Sequence, residues 1–116
     1  MNSNFSFVVT DNDVASGARC GVLHTPHGDI NTPNFVFCGT KGALKSMTTS
    51  DLDNCGAEVM LSNTYHLLLQ PGSDIVAKNG GLHKMINWNK PMLTDSGGSR
   101  YSACAMAASQ MSFFII

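Results

Sequence analysis

Three short apolar runs, spaced along the chain and separated by helix-like stretches, constrain the fold more than any other feature. The first is Asn34-Phe35-Val36-Phe37-Cys38-Gly39, the second Glu58-Val59-Met60-Leu61-Ser62, and the third Pro91-Met92-Leu93-Thr94. Each has the length of a strand and the near-continuous apolar character of one buried on both faces. Thr49 or Ser50 can cap a helix through Asp51, Leu52 and Asp53 that ends at Gly56. Thr64 to Gln70 reads as a helix stopped by Pro71-Gly72. Ser73 can cap another through Ile75, Val76 and Ala77, ended by Gly80-Gly81, and Leu82 to Trp88 adds a further helical turn. Strand–helix–strand–helix–strand order means parallel strands with covering helices. Two α/β architectures satisfy it: an open doubly wound sheet, and the start of a (β/α)8 barrel. Three strands alone leave Phe35, Phe37, Val59, Leu61 and Leu93 in need of cover from further strands.

The chain ahead of the first run has a different character. Phe5 to Thr10 and Cys20 to His24 are extended, Thr25-Pro26-His27-Gly28 is a turn, and Asp29 to Thr32 is short and polar before Pro33. Residues 1–33 therefore read as a small antiparallel β segment, and residues 34–98 as the first βα units of the parallel sheet.

Both parallel architectures put ligands at the carboxyl ends of the strands. Those ends carry Gly39-Thr40, Ser62-Asn63-Thr64-Tyr65-His66 and Asp95-Ser96-Gly97-Gly98. A carboxylate at Asp95 can hydrogen-bond a ligand or move a proton, or it can simply cap the next helix. Asn63, Tyr65 and His66 offer amide, phenol and imidazole beside one strand end; on local pattern alone, turn formation for Asn63 and partial burial for Tyr65 and His66 are favoured over a functional role. Gly97-Gly98 permits a close approach of backbone to ligand. Leu67-Leu68-Leu69 reads as core.

Composition removes several classes of function. Hydrophobic residues make up 43% of the 116 and charged residues 13%, which demands a core; the net charge of -1 advertises no global affinity for nucleic acid. Met1 to Phe7 lacks the features of a secretory signal, and no run approaches the roughly 20 apolar residues of a membrane span. The chain is expected to be cytoplasmic, with no membrane partner. Cys20, Cys38, Cys55 and Cys104 form no Cys-x-x-Cys pair and are expected as free, mostly buried thiols. His24-x-x-His27 has the spacing of half a metal site but sits in turn chemistry.

Local chemistry supplies a site without a substrate. The strings ARCGVLHTPHGDINTPNFVFCGT, LSNTYHLLLQPG, GGLHKMINW and LTDSGG occur in that order. Over about Phe5 to Gly98 the chain resembles the amino-terminal portion of tRNA-guanine transglycosylase, the queuine tRNA-ribosyltransferase family. Phe37 and Cys38 depart from the Pro and Val expected there. The resemblance implies an irregular TIM barrel, here incomplete, preceded by a small antiparallel β-sheet. It implies a pentosyltransferase that exchanges guanine at the anticodon wobble position for a queuosine precursor base. Its partners would be tRNA and a 7-deazaguanine or queuine, with homo-oligomers formed by full-length members. Asp95 would be catalytic, contacting the base edge and transferring a proton. Ser96, Gly97, Gly98 and Asn63 would join Asp95 in binding the base. The family's nucleophilic aspartate and its Cys-x-Cys-x-x-Cys and His zinc ligands have no counterpart in these 116 residues, so no cofactor is expected.

The resemblance changes at Ser99. The family continues DSGG with Phe-Gln-Val-Phe-Ser-Leu, where this chain has Ser99-Arg100-Tyr101-Ser102-Ala103-Cys104. Written as TTC CAG GTA TTC AGC TTG, the family run loses one T to become TCC AGG TAT TCA GCT TG-, which encodes the observed residues. Residues 99–116 therefore read as an out-of-frame tail, and the chain as an inactive fragment of the enzyme. The alternative is a small non-catalytic module that pairs with a full-length subunit.

Overall fold

A computed structural model describes residues 5–95. Ser96 to Gly98 and residues 99–116 lie outside them. The described part contains two three-stranded sheets, one antiparallel and one parallel, with short helices packed against the second.

The antiparallel sheet is built from β1 (Ser6–Asn12), β2 (Arg19–Thr25) and β3 (Gly28–Thr32), in that spatial order. The β1–β2 loop closes on Asp13, whose carboxylate accepts the backbone N–H groups of Ala15 and Ser16 at 3.3 and 3.0 Å and also the Ser16 hydroxyl. Those donors, the Ser16 hydroxyl first, hold the Asp13 carboxyl below the usual carboxylate range. Between β2 and β3 the turn needs only Pro26 and His27, because Thr25 pairs directly with Gly28. The Thr25 hydroxyl donates to the Gly28 carbonyl at 2.7 Å and accepts the His27 N–H at 3.2 Å. His24 is spent on Asp29, at 2.7 Å, so the two histidines of this turn do not converge. No group of three metal-ligating side chains occurs among the described residues.

The parallel sheet is β4 (Phe37–Cys38), β5 (Met60–Ser62) and β6 (Met92–Thr94), with β5 central. Its helices are α1 (Thr49–Asn54), α2 (Thr64–Leu69), α3 (Ser73–Lys78) and α4 (Leu82–Ile86). Register decides the faces. Phe37, Met60 and Met92 are cross-strand partners, as are Cys38, Leu61 and Leu93, and side chains alternate along a strand. Met60 and Met92 are fully buried in a cluster with Leu52, Ala57, Leu67, Leu82 and Trp88. Across the sheet, Cys38 is exposed while Leu61 and Leu93 are half-buried. The strands are thus buried on one face, not on both as their composition suggests.

Several expectations are corrected here. The first apolar run forms only a two-residue strand; Phe35 is 70% exposed and packs edge-on against Phe37, their centroids 5.0 Å apart. Val59 is buried in the core. The leucine triplet splits, because a helix cannot turn three successive residues to one side: Leu67 is buried and Leu69 is 63% exposed. Cys20, Cys38 and Cys55 are free thiols but exposed, not buried. Cys20 faces outward opposite a bulge in β1, Cys38 lies on the uncovered sheet face, and Cys55 follows the last turn of α1.

Caps also shift by one residue. Thr48, not Thr49 or Ser50, opens α1 with a reciprocal box: its hydroxyl accepts the Asp51 N–H at 3.1 Å, and Asp51 Oδ2 accepts the Thr48 N–H at 2.8 Å. The Thr48 hydroxyl and then its backbone N–H keep the Asp51 carboxyl below its ordinary value. Gly72 rather than Ser73 precedes α3, without a side-chain cap. Gly42 is held at φ +74°, and a Cβ there would meet the Ile86 side chain at 2.7 Å, so the β4–α1 loop can lie flat on α4 only with glycine.

Two contacts join the antiparallel sheet to the parallel one. Glu58, just ahead of β5, accepts the Asn31 N–H and side-chain amide, each at 2.7 Å, and the Asn34 amide at 2.6 Å. Led by the Asn31 amide, these donors hold the Glu58 carboxyl below its usual range. The second contact stacks the His27 ring on His83 of α4. Trp88 is buried between α4 and β6, its indole N–H donating to the Pro91 carbonyl at 3.2 Å.

Met60 is the centre of the core, so Met60→Ala is expected to cost about 2–5 kcal/mol of folding stability. A urea titration checks it: a loss under ~1 kcal/mol would mean that the core between the parallel sheet and its helices is not formed around β5.

Candidate active site

At the carboxyl end of the parallel sheet the three strand ends are stitched into one unit. The Gly39 N–H donates to the Leu61 carbonyl at 2.7 Å, and the Asn63 N–H to the Thr40 carbonyl at 2.9 Å. Between these rungs the fully buried Ser62 hydroxyl donates to the Gly39 carbonyl at 2.8 Å. A Cβ on Gly39 would lie 2.7 Å from the Met60 sulfur. On the other side of β5, the Asp95 N–H reaches the Ser62 carbonyl at 3.4 Å.

This scaffold delivers Asp95 to the start of α2. Its Oδ1 accepts the Thr64 backbone N–H at 2.8 Å, and its Oδ2 accepts the Asn63 side-chain amide. The Thr64 hydroxyl lies 3.0 Å from both Asp95 Oδ1 and the Asp95 carbonyl. Asn63 also caps α2, its Oδ1 accepting the His66 N–H at 3.0 Å. With one amide atom facing an N–H and the other a carboxylate, the Asn63 side chain has a single orientation that satisfies both. Asn63 thus serves the turn and the carboxylate together, two roles that the sequence presents as alternatives.

Tyr65 and His66 stand beside the cap, half-buried, their rings edge to face at 5.8 Å. Lys41, in the loop after β4, donates to Gln70 Oε1 at 3.0 Å. Asp95 and Asn63 are brought together; Ser96, Gly97 and Gly98 lie outside the described residues. Thr64 and Ser62 were not singled out from sequence, although each carried a signal: Ser62 is a lone hydroxyl inside an apolar strand, and Thr64 is the first helical residue after it.

What the arrangement can do follows from charge and access. A carboxylate has about four acceptor positions, and three donors from Asn63 and Thr64 leave room for one more from a ligand. Those donors also fix the carboxylate plane, as a group meeting a planar ligand edge requires. A half-buried acid at a parallel strand's carboxyl end, braced from the neighbouring strand end, stands where α/β folds place their ligand sites.

Comparison with known proteins makes the class specific. The family profile described as Queuine tRNA-ribosyltransferase matches residues 13–114, and the chain belongs to that family. It is 55% identical over 94 residues to the queuine tRNA-ribosyltransferase of Synechococcus sp. (strain CC9311), covering 81% of this chain and 25% of that protein. The Halothermothrix orenii protein of the same name is 52% identical over 95 residues, 82% of this chain and 26% of its own length. That of Staphylococcus epidermidis (strain ATCC 12228 / FDA PCI 1200) is 57% identical over 83 residues, 72% of this chain and 22% of its own. The chain therefore spans about a quarter of the length of the curated relatives it matches.

Removing the brace should be measurable. Asn63→Ala loses the cap of α2 and a donor to Asp95, and is expected to cost about 0.5–2 kcal/mol. Asn63→Asp keeps a capping oxygen but sets a second carboxylate against the first, so one of the pair should titrate well above the usual carboxylate range. Carboxyl NMR titration reads this directly; two ordinary carboxyl curves in Asn63→Asp would show that residues 63 and 95 do not touch.

Proposed function

We propose that this chain carries the base-recognition part of a tRNA-guanine transglycosylase, on the first βα units of the family's TIM barrel. The observation that carries the reading is the clamp on Asp95: two neighbours hold its carboxylate at a strand's carboxyl end with acceptor capacity to spare. The family's reaction exchanges guanine at the wobble position of tRNA for a 7-deazaguanine precursor or queuine. In it Asp95 accepts a hydrogen bond from an N–H of the base edge and moves a proton there, while Asn63 and Thr64 hold it in plane. By the resemblance of the DSGG run, Ser96, Gly97 and Gly98, which lie outside the described residues, would join Asp95 in binding the base.

The nucleophile that takes the ribose is an aspartate outside these 116 residues in this reading, and Asp95 cannot replace it. In this reading the family's zinc ligands, like the nucleophile, have no counterpart among these 116 residues: Cys20, Cys38 and Cys55 lie on separate elements, and no step is routed through a metal. No helix among the described residues is long and apolar enough to cross a membrane. The comparisons favour this enzyme reading over a stand-alone assembly module.

A graft tests the assignment. The Synechococcus relative carrying residues 5–95 of this chain in place of its own should exchange radiolabelled guanine into tRNA. Asp95→Asn in that graft removes a hydrogen bond to a charged group, about 1.5–3 kcal/mol in base binding, and removes the proton acceptor, so exchange should fall to background. Undiminished exchange would take Asp95 out of the reaction. The isolated chain should give background exchange throughout.

The segment after Gly98 has its own test. Although the family match runs on to residue 114, the Ser99–Cys104 run agrees with a one-base slip. Restoring one base near the Ser99 codon should yield Phe-Gln-Val-Phe-Ser-Leu in the gene, followed by roughly another barrel's length, about 250 residues. A locus with no such shifted frame would defeat the slip.

A further inference from the structure

We propose that the His27–His83 stack is a proton-operated joint, by which acidification releases the β2–β3 turn from α4 while the antiparallel sheet itself stays intact. The rings lie nearly parallel, 11° apart, with centroids separated by 4.0 Å. His83 is only 9% exposed, whereas His27 sits on an exposed turn. His83 Nε2 lies 3.1 Å from the Lys90 carbonyl, an acceptor only, so Nε2 carries the hydrogen. A second proton must then enter at Nδ1 and make the ring cationic.

Among the described residues the Lys90 carbonyl is the favourable partner for that cation, and it is outweighed. From the β2–β3 hairpin it meets His27, and the hairpin's own acid, Asp29, is held by His24. From the loop before β6 it meets the Lys90 carbonyl, and the Lys90 ammonium is turned to Asp53 at 2.5 Å and to the Ala57 carbonyl at 2.8 Å. On its own helix Lys84 lies along Gly80. A proton on each ring would place two like charges face to face, one of them on the buried His83.

Burial, then the neighbouring His27, lower the His83 pKa from its ordinary 6.5, against a smaller raising effect of the Lys90 carbonyl. The sign follows. An opened or unfolded His83 binds more protons than the stacked one, so the contact is fully present above 6.5 and weakens as pH falls below it. A second tie of the antiparallel sheet, Glu58 to Asn31 and Asn34, does not respond in that window. Its carboxyl titrates below an ordinary value of 4.5. Between these limits one tie opens and the other holds, and release stays local. The inference does not depend on the transferase reading.

Amide hydrogen exchange on the 116-residue chain at pH 7.5 and 5.0, corrected for intrinsic rates, tests it. Protection of the Trp88 N–H, bonded to the His83 carbonyl at 3.0 Å, and of α4 should fall by up to about tenfold per pH unit for each proton taken up. The β1–β2 amides should keep theirs. His27→Phe keeps a ring on His83 without a charge and should lessen the response, leaving the part that burial of His83 supplies. Glu58→Gln should loosen the sheet equally at both pH values and leave the α4 response in place. Equal α4 protection at both pH values, an undiminished response in His27→Phe, or loss spread evenly over both sheets would each overturn the joint.

Discussion

Everything in the parallel half of this molecule depends on β5 being paired on both sides. One three-residue strand fixes the register of β4 and β6, and the register fixes which side chains meet. Its Met60 brings Phe37 and Met92 into line against the helices. Its Ser62 ties the Gly39 carbonyl, and the next residue, Asn63, reaches Asp95. A slip of one residue would turn Met60 out of the core and Asn63 away from the carboxylate together. Stability and site geometry therefore rest on the same few backbone hydrogen bonds.

That coupling explains why the site is rigid where it must be. Asp95 is placed by a strand, Asn63 by a strand end and a helix start, and Thr64 by the first helical turn. None depends on a long loop. Elements held by tertiary pairing keep a carboxylate in plane better than loops do.

Much of this was legible in the residues. Helix starts and stops are signalled at Thr49 or Ser50, Gly56, Thr64, Pro71-Gly72, Ser73 and Gly80-Gly81, and all four helices lie within a few residues of those signals, although the caps themselves are Thr48, Asn63 and Gly72 for the first three. The turn at Pro26-His27 was equally plain. The Asn63–Asp95 bond was not, because its partners are 32 residues apart and meet only through strand register. Nor was exposure of the cysteines. Local sequence marks a residue as apolar or small, but cover depends on what packs over that face, and Cys38 lies on the less covered one. Ser96 to Gly98 were read as pocket residues from the DSGG motif, and that reading lies outside the described structure.

The outer strand of the antiparallel sheet has a consequence for how the protein behaves in solution. β1 pairs with β2 along one edge, and no strand among the described residues lies along its other edge. Phe7 and Val9 project from one side and Val8 from the other, each about half exposed. Alternation of that kind with an open ladder is a template for adding a strand from another molecule. Natural sheets blunt such edges with charge, and here charge arrives only at the far end, past the bulge, at Asp11. A net charge of -1 supplies little colloidal repulsion. Self-association should therefore rise with concentration and begin at this edge, and a lysine in place of Val8 should suppress it in light scattering while leaving the parallel sheet untouched.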